Sequence, residues 1–362
     1  LRLLDRAREL NAATAPDDRQ LDRELAILSA LVTPLAATGG FASTRLAETQ
    51  QRAIELAARL GVEPESSLLR SVAMTSMCHY EFDAAQLAAG QLHSRAVSTA
   101  DRVLQVESEY LLGIGAFWNG GFDRARVHFE TVVRDFEPDR RLEHLVRFGQ
   151  DPRIVCLSRL ANTLWFLGAA TDARRVRDEA LAMAVDVGHP FSRGVAFVFA
   201  AILCVDLGDL DGFREFVDAL SADADHHPFA AAQDSLIGYV EAMDGRPRAG
   251  IQRIERTIAT GLVDHAPGQR AAHIRFLLAA FDLADDPVGG LAAADAALRT
   301  PGTLIWEAEA HRLRAKFLAG VGAPTEDIVS ELAHATAVAR HIGALGPEQT
   351  IEATRAELGL TR

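Results

Sequence analysis

Residues 120–137 read GGFDRARVHFETVVRDFE, and residues 39–61 use the same phrase as GGFASTRLAETQQRAIELAARLG. Each stretch opens with Gly-Gly-Phe and continues as a proline-free amphipathic run. Glycine is typical of the tight turn that ends one helix, and a small polar or acidic residue just beyond it can cap the next helix. The repeated phrase therefore predicts, at two places in one chain, a turn followed by an amphipathic helix.

Turn signals of this kind recur along the whole chain at steps of 37 to 47 residues. They fall at Gly40, Glu81, Gly121, Gly168, Gly208, Gly245, Asp285 and Gly322. Each is flanked by runs with helical periodicity, so the repeating unit is helix, turn, helix. One such hairpin cannot bury its apolar face alone, whereas stacked hairpins share a continuous core and enclose a concave surface.

Two stretches fit the tetratricopeptide repeat (TPR), residues 111–133 and residues 161–190. The TPR pattern places large residues and Leu-Gly near the end of the first helix, then alanine and an aromatic residue on the second. Ala125 and Phe129 fit it in the first stretch, and Ala173 and Ala180 fit it in the second. The sequence thus predicts an all-α, right-handed α-solenoid superhelix of about eight TPR-like hairpins, with HEAT-like repeats as the structural alternative.

The composition agrees with a helical protein and argues against several functions. Hydrophobic residues make up 49% of the 362 positions, and the formal net charge is −13. An acidic surface repels phosphate backbones, so we expect no direct nucleic-acid binding. Lys316 is the only lysine, and its surroundings, RAKFLAG, do not form a phosphate-binding loop. We therefore expect no catalysis, no cofactor and no metal site.

The three cysteines are far apart in apolar helical runs, at Cys78, Cys156 and Cys204. Isolated cysteines in such runs predict buried free thiols in a reduced, cytoplasmic protein. Neither a signal peptide nor a membrane span is apparent in the sequence. The first residues, LRLLDRAREL, lack a methionine, which indicates either a piece of a longer protein or a missing N-terminus.

Four further stretches carry a more specific resemblance. They are FGQDPRIVCLSRLANTLWFLG (148–168), EALAMAVDVGHPFSRGVAFVFAAIL (179–203), GIQRIERTIATG (250–261) and WEAEAHRLRAKFLAG (306–320). They resemble the C-terminal TPR region of large bacterial signalling ATPases of the STAND or AAA type, either cyclase-linked or similar to maltose-activator transcriptional regulators. The resemblance implies a sensor or scaffold arm next to an ATPase or effector module. We expect residues 1–138 and 139–362 to be two blocks of one continuous solenoid.

Candidate ligand- or partner-binding residues come from the first helices and from the long spacing near residue 150. They are Trp118, Arg147, Gln150, Asp151, Arg153, Trp165, Arg193, Trp306 and Arg312. Tryptophans on first helices either line a concave groove or pack between the helices of a repeat. Asp151 before Pro152 either presents polar groups to a ligand or caps a helix after a long loop over 137–150. The arginines of residues 137–147 either bind an acidic partner or lie on a solvated helical face.

Two histidine motifs do not change this interpretation. His226 and His227 lie beside Asp223 and Asp225, but adjacent side chains point in different directions, so a shared metal ion is not expected. The residues 306–314, WEAEAHRLR, place Glu307, His311 and Arg314 on one helical face, which predicts a salt-bridged face rather than a catalytic triad.

Together these observations predict a non-enzymatic sensor or protein-interaction arm that binds a peptide, a protein or a small inducer in its concave groove. One alternative is an assembly scaffold without ligand switching. The other is an enzyme whose site is assembled across several repeats.

Overall fold

The computed structural model describes residues 1–14, 17–221, 230–261, 268–299 and 304–360. Within these ranges the chain forms nineteen α-helices and one 3₁₀ helix (Pro138–Arg140), with no strand. The helices are α1 (Arg2–Ala12), α2 (Asp18–Gly39), α3 (Thr44–Leu60), α4 (Ser66–Cys78), α5 (Phe82–Ser98), α6 (Arg102–Trp118), α7 (Phe122–Asp135), α8 (Arg141–Phe148), α9 (Pro152–Phe166), α10 (Ala170–Val187), α11 (Pro190–Leu207), α12 (Leu210–Ser221), α13 (Ala230–Met243), α14 (Pro247–Ala259), α15 (Gln269–Leu283), α16 (Pro287–Leu298), α17 (Leu304–Gly320), α18 (Thr325–His341) and α19 (Leu345–Glu357).

Sixteen of these helices pair as eight antiparallel hairpins. The pairs are α2/α3, α4/α5, α6/α7, α9/α10, α11/α12, α13/α14, α15/α16 and α17/α18. The first helix of a hairpin generally also packs against the first helix of a neighbouring one, as α4 does against α2 and α6. Three helices stand outside the repeats: α1 packs on α2, α8 is inserted between the third and fourth hairpins, and α19 follows the eighth. The prediction of an all-α solenoid of about eight hairpins is confirmed.

Each hairpin turn contains one residue with a positive φ angle. These residues are Gly40, Tyr80, Gly120, Gly168, Gly208, Gly245, Asp285 and Gly322. A side chain in this region costs about 1–2 kcal/mol because Cβ approaches the following carbonyl oxygen, which explains why six of the eight are glycine. The turn signals read from the sequence match these positions to within one residue, because the backbone conformation itself requires the glycine.

The residues of the TPR pattern make the contacts within the hairpins. A Cβ atom added at Gly113 on α6 would lie 2.6 Å from the Phe129 ring on α7, so glycine permits close packing of the two helices. Ala125 and Phe129 are fully buried, and so is Ala173 on α10. The predicted apolar face of α10 is therefore the face that packs against its partner helix.

One hydrophobic cluster extends from Leu69 on α4 to Ile351 on α19, and a smaller one joins α2, α3 and α4. Phe136 and Phe148, on either side of the expected block boundary at residue 138, belong to the larger cluster. The division into two blocks stays a prediction.

Helix α11 is long and apolar enough to cross a membrane, but most of it is buried as the first helix of the fifth hairpin. All three cysteines are buried thiols outside any disulfide, as predicted.

Candidate functional site

The solenoid closes on itself through contacts between distant hairpins. The indole of Trp118, at the end of α6, meets that of Trp306 on α17 edge to face, with ring centroids 5.9 Å apart. Gly268 lies so close to the Trp118 ring that a Cβ atom would collide with it. Gly346 on α19 approaches the Trp165 carbonyl oxygen on α9 equally closely. First helices of the third and fourth hairpins therefore touch the eighth hairpin and α19 across the inner side of the molecule.

A polar cavity of about 150 Å³ remains between these helices, and we call it the inner pocket. Its lining comes from the first helices of hairpins four to eight and from α19. The lining residues are Trp165, Val205, Asp206, Tyr239, Arg275, Ala279, Asp282, Leu283, Glu309, Arg312, Leu313 and Thr350. At roughly 30 Å³ per molecule, the volume corresponds to about five waters or one side chain of a ligand.

The wall of the inner pocket contains one incompletely paired ion pair. The side chains of Asp206 and Arg275 are only 1% and 6% exposed, and Arg275 Nη2 lies 2.6 Å from Asp206 Oδ1. Among the described residues, neither oxygen of Asp206 has a hydrogen-bond partner, and neither Nε nor Nη1 of Arg275 has one. Burial raises the pKa of Asp206 to about 7, although the nearby Arg275 acts in the opposite direction.

Buried polar atoms without partners are rare in native proteins, and each costs about 1–3 kcal/mol. Their concentration beside a cavity marks hydrogen-bonding capacity that the described residues do not use.

A second ion pair on the same wall is fully made. Glu309 accepts two parallel hydrogen bonds from Arg312, at 2.7 and 2.8 Å, and Arg312 Nη1 donates to Thr354 Oγ1 on α19 at 2.8 Å. Burial opposes ionisation of Glu309, but Arg312 outweighs burial and holds the pKa of Glu309 below its ordinary value. Arg312 thus links α19 to α17 through Thr354.

In the first three hairpins, α8 and a residue just after it contact the first helices. Glu107 on α6 accepts hydrogen bonds from Arg70 Nε at 3.0 Å and from Gln150 Nε2 at 3.5 Å. His144 Nδ1 on α8 lies 2.9 Å from the other oxygen of Glu107. All four side chains are buried. Beside α8 an open groove of about 680 Å³ runs past α2, the start of α4 and Arg147.

The segment 137–150 differs from the long loop that we expected, because it folds as a 3₁₀ turn and helix α8. Its face is not fully solvated either, since His144 is buried. The arginines of the segment pair within the chain: Arg140 with Glu137, Arg141 with Asp151, and Arg147 with Asp101 and Glu143. These pairs hold α8 in place, and they occupy the guanidinium groups that an acidic partner would need.

The structure brings two of the nine predicted site residues, Trp165 and Arg312, into the inner pocket. Trp118 and Trp306 are each only 5% exposed, and their indoles pack against each other across the molecule. Both side chains therefore offer little open surface to a ligand.

The remaining predicted residues lie around the junction of α8, α9 and α11. Asp151 is buried and caps α9 by accepting from the Ile154 backbone N–H at 3.1 Å. Gln150 belongs to the Glu107 network, and Arg153 lies 3.9 Å from Glu179. Arg193 is half-buried on α11. Neither these four residues nor Arg147, the ninth candidate, lines the inner pocket.

Three residues of the pocket, Asp206, Arg275 and Glu309, were not predicted. Their sequence signal is a charged residue inside an apolar first helix, as in AAILCVDL (200–207) and AAHIRFLLAAF (271–281). A charge at such a position is costly unless it is paired, so it marks a polar inner surface. The motif at 223–229, with its two histidines, lies outside the described residues.

Comparison with known proteins establishes the fold. No family model and no curated protein sequence matches the chain. The crystal structure of the APC/C hetero-tetramer Cut9–Hcn1 contains a chain that is similar over 90% of this one, with 14% identity and a TM-score of 0.56. This chain covers 55% of the length of that one. A Rap protein, solved in complex with the Competence and Sporulation Factor, is similar over 96% of this chain and 100% of its own length, with 13% identity and a TM-score of 0.51.

The fold is a TPR-type helical solenoid.

Proposed function

We propose that this solenoid is a non-enzymatic interaction arm that binds a peptide or protein segment along its inner surface. One charged side chain or chain terminus of the ligand would occupy the inner pocket. The observation that carries the proposal is the incompletely paired Asp206–Arg275 pair in a cavity lined by six helices. A peptide offers both the N–H donors that Asp206 lacks and the oxygen acceptors that Arg275 lacks.

The construction of the inner pocket favours a sensor over a passive scaffold. At about 150 Å³ it is smaller than the roughly 300–1,000 Å³ of typical ligand sites. A larger ligand must therefore change the spacing of hairpins four to eight or displace α19. Binding coupled in this way shifts a conformational equilibrium that an attached ATPase or effector module can read. The proposed setting is thus a bacterial signalling or transcriptional regulator, in line with the resemblance of residues 148–203.

One observation favours the second candidate, an assembly scaffold without switching. Leu142 and Val146 lie one turn apart on α8 and are 70% and 72% exposed. An exposed apolar pair on a helix that borders an open groove suits contact with another protein surface. The raised pKa of Asp206 is the observation that favours an enzyme, since shifted acids occur at active sites. Against catalysis, the described lining of the inner pocket includes no serine, cysteine or histidine.

The test uses Trp165 as a fluorescent reporter of the inner pocket. Trp118 and Trp306 are the only other tryptophans, so the double variant Trp118→Phe/Trp306→Phe leaves one indole in the pocket wall. We expect short synthetic peptides of differing charge, with free or blocked termini, to include ligands that change Trp165 emission. The same ligands should raise the unfolding temperature, because binding to the folded state stabilises it.

The matched pair Asp206→Asn and Asp211→Asn locates the site. Asp211 lies fully exposed on α12, so its substitution should leave the affinity unchanged. Asp206→Asn should weaken binding at least about tenfold, because a buried hydrogen bond to a charged group is worth roughly 1.5–3 kcal/mol. Equal affinities in the two variants would place the ligand elsewhere, and a complete absence of peptide ligands would reject the ligand class.

A further inference from the structure

Three potential metal-binding side chains of the last hairpin lie close together where α17 faces α18. Glu307 and His311 are one turn apart on α17, and His334 lies opposite them on α18. One ligand atom from each residue lies within 4.8 Å of the other two. The imidazole rings of His311 and His334 have centroids 4.4 Å apart. The face differs from the one that carries Glu309 and Arg312, so the group is separate from the inner pocket.

The orientation of His311 is fixed by a carboxylate. Its Nδ1 lies 2.6 Å from Glu331 Oε1, and Arg314 Nη1 donates to the other oxygen of Glu331 at 2.7 Å. A carboxylate can only accept, so in the neutral imidazole Nδ1 carries the proton and the lone pair lies on Nε2. That Nε2 points toward Glu307, with 3.9 Å between Nε2 and Oε1. A histidine held by a carboxylate through one nitrogen is the arrangement that orients metal-binding imidazoles in proteins.

We propose that Glu307, His311 and His334 bind a divalent transition-metal ion of the zinc class, with Glu331 as the positioning residue for His311. Two imidazoles and one carboxylate are a ligand set that Zn²⁺ accepts, with a water molecule in the fourth position. Mg²⁺ and Ca²⁺ prefer oxygen ligands alone, so two imidazoles disfavour them.

The observed separations need only a small adjustment to coordinate such an ion. Metal–ligand distances of about 2.0–2.2 Å bring tetrahedral ligand atoms roughly 3.4 Å apart. His334 is exposed, so its ring can move toward the other two ligands without disturbing the core. A bound ion would join α17 to α18 and thereby fix the last hairpin, which also supplies Glu309 and Arg312 to the inner pocket.

The sequence did not predict this site, because its ligands come from two helices. Glu307 and His311 have the one-turn spacing of a helical metal-binding pair, but the third ligand is 23 positions further along the chain. Only the pairing of α17 with α18 brings His334 to them.

The experiment measures Zn²⁺ binding to the full chain, freed of any polyhistidine tag and treated with chelator. Isothermal titration with ZnCl₂ should show one saturable site per chain. The unfolding temperature should rise by at least about 2 °C at saturation, since the ion binds only the folded arrangement. A titration with MgCl₂ should show neither effect.

Matched variants separate a built site from general surface binding. His334→Ala should reduce Zn²⁺ affinity more than about 100-fold, which exceeds the 10–100-fold typical of losing an outer partner. His334 is exposed, so this variant keeps the fold. His341→Ala, which removes another exposed histidine of α18, should leave the affinity unchanged. Equal Zn²⁺ affinity in His334→Ala and His341→Ala would overturn the proposal, as would the absence of saturable binding.

Co²⁺ tests the role of Glu331 by spectroscopy. The wild-type chain should give the intense visible absorption of tetrahedral Co²⁺. Glu331→Gln should weaken Co²⁺ binding about tenfold while the band positions persist, because the three ligands remain and only the orientation of His311 is lost. An unchanged affinity in Glu331→Gln would show that Glu331 supports the fold and not the metal.

Discussion

Two halves of the solenoid each bury a carboxylate against an arginine on first helices, but they complete the pair differently. In the N-terminal half, Glu107 contacts Arg70, His144 and Gln150, and two of these three partners come from α8 and the residues just after it. In the C-terminal half, Asp206 has Arg275 beside it and no hydrogen-bond partner within the described part of the chain. The difference is that α8 packs on the first helices of the first three hairpins, whereas no described segment of the chain fills the inner pocket.

The partners of Glu107 in the N-terminal half indicate which kind of ligand would suit Asp206 and Arg275 in the C-terminal half. His144 on α8 and Gln150 just after α8 place side-chain nitrogen atoms against Glu107, and Gln150 Nε2 donates to it. A ligand segment that gives Asp206 the same kind of donor, and gives Arg275 an acceptor, would complete the C-terminal pair. The α8 contact thus supports the proposal that the inner surface recognises polypeptide.

Removal of the N-terminal carboxylate should have the largest effect. Glu107→Ala leaves the buried Arg70 without its partner, and breaking a buried pair in this way costs about 3–5 kcal/mol of unfolding free energy. Urea unfolding followed by circular dichroism measures it. Glu130→Ala removes an exposed carboxylate on α7, whose pair with Arg126 should contribute at most about 1 kcal/mol. A loss for Glu107→Ala no larger than for Glu130→Ala would show that the network does not hold α8.

The unfolding free energy should fall as the pH rises through the range in which Asp206 titrates. A stabilising ion pair would have the opposite effect, because it lowers the pKa of its carboxylate. The ordinary pKa of aspartate is 3.8, and burial raises that of Asp206 to about 7, with Arg275 lowering it and Glu309 raising it. Between these values the folded chain holds a proton that the unfolded chain has released. The wild type therefore loses up to about 1.4 kcal/mol of stability per pH unit as the pH rises from 4 to 7.

Asp206→Asn cannot titrate, so its stability relative to the wild type should increase across that pH range and become constant above pH 7. Urea unfolding of both proteins at each pH measures the difference. A difference that does not vary with pH would mean that Asp206 is ionised normally and already has a partner.

One added methyl group at Gly346 should disrupt the packing by which α19 closes the inner pocket. A Cβ atom at Gly346 would collide with the Trp165 carbonyl oxygen, so Gly346→Ala must push α19 from α9. We expect a loss of about 1–3 kcal/mol, typical of overpacking, and a red shift of Trp165 emission as water reaches the indole. Gly90→Ala, on α5 with no neighbour within 4 Å of the added methyl group, should be neutral or stabilising. Equal effects of the two substitutions would argue against the packed α19.

We expect the smallest change in stability from substitutions in two hairpin turns, one in each half of the solenoid. Tyr80 and Asp285 are the non-glycine residues among the eight positive-φ turn positions, with φ angles of 61° and 50°. Tyr80→Gly should stabilise the chain by less than about 1 kcal/mol, because glycine removes strain but also loosens the unfolded chain. Asp285→Gly should gain less, since aspartate tolerates this conformation better than tyrosine does. Thermal unfolding of both variants measures the order, and the reverse order would contradict the strain argument.

The repeat architecture could be predicted because its determinants are local. Glycine at the turns and alanine or aromatic residues within a hairpin, such as Ala125 and Phe129, depend on neighbours a few dozen residues away at most. The contact between Trp118 and Trp306 depends on how much each hairpin rotates relative to the last, and that rotation accumulates over five repeats. Trp165 and Arg312 were among the candidates taken from the sequence, but the Asp206–Arg275 pair was not. Its two members belong to different hairpins, and the sequence does not show how those hairpins are placed relative to each other.

The Trp118–Trp306 contact also bears on how the chain unfolds. A repeat array ordinarily behaves as a one-dimensional row in which each unit stabilises only its neighbours, so the ends can melt while the centre persists. Because a side-chain contact joins the third and eighth hairpins, unfolding of either one destabilises the other. Shortening the chain from its C-terminus would then weaken hairpins in the middle of the row, and the array would melt as one cooperative unit rather than from its ends.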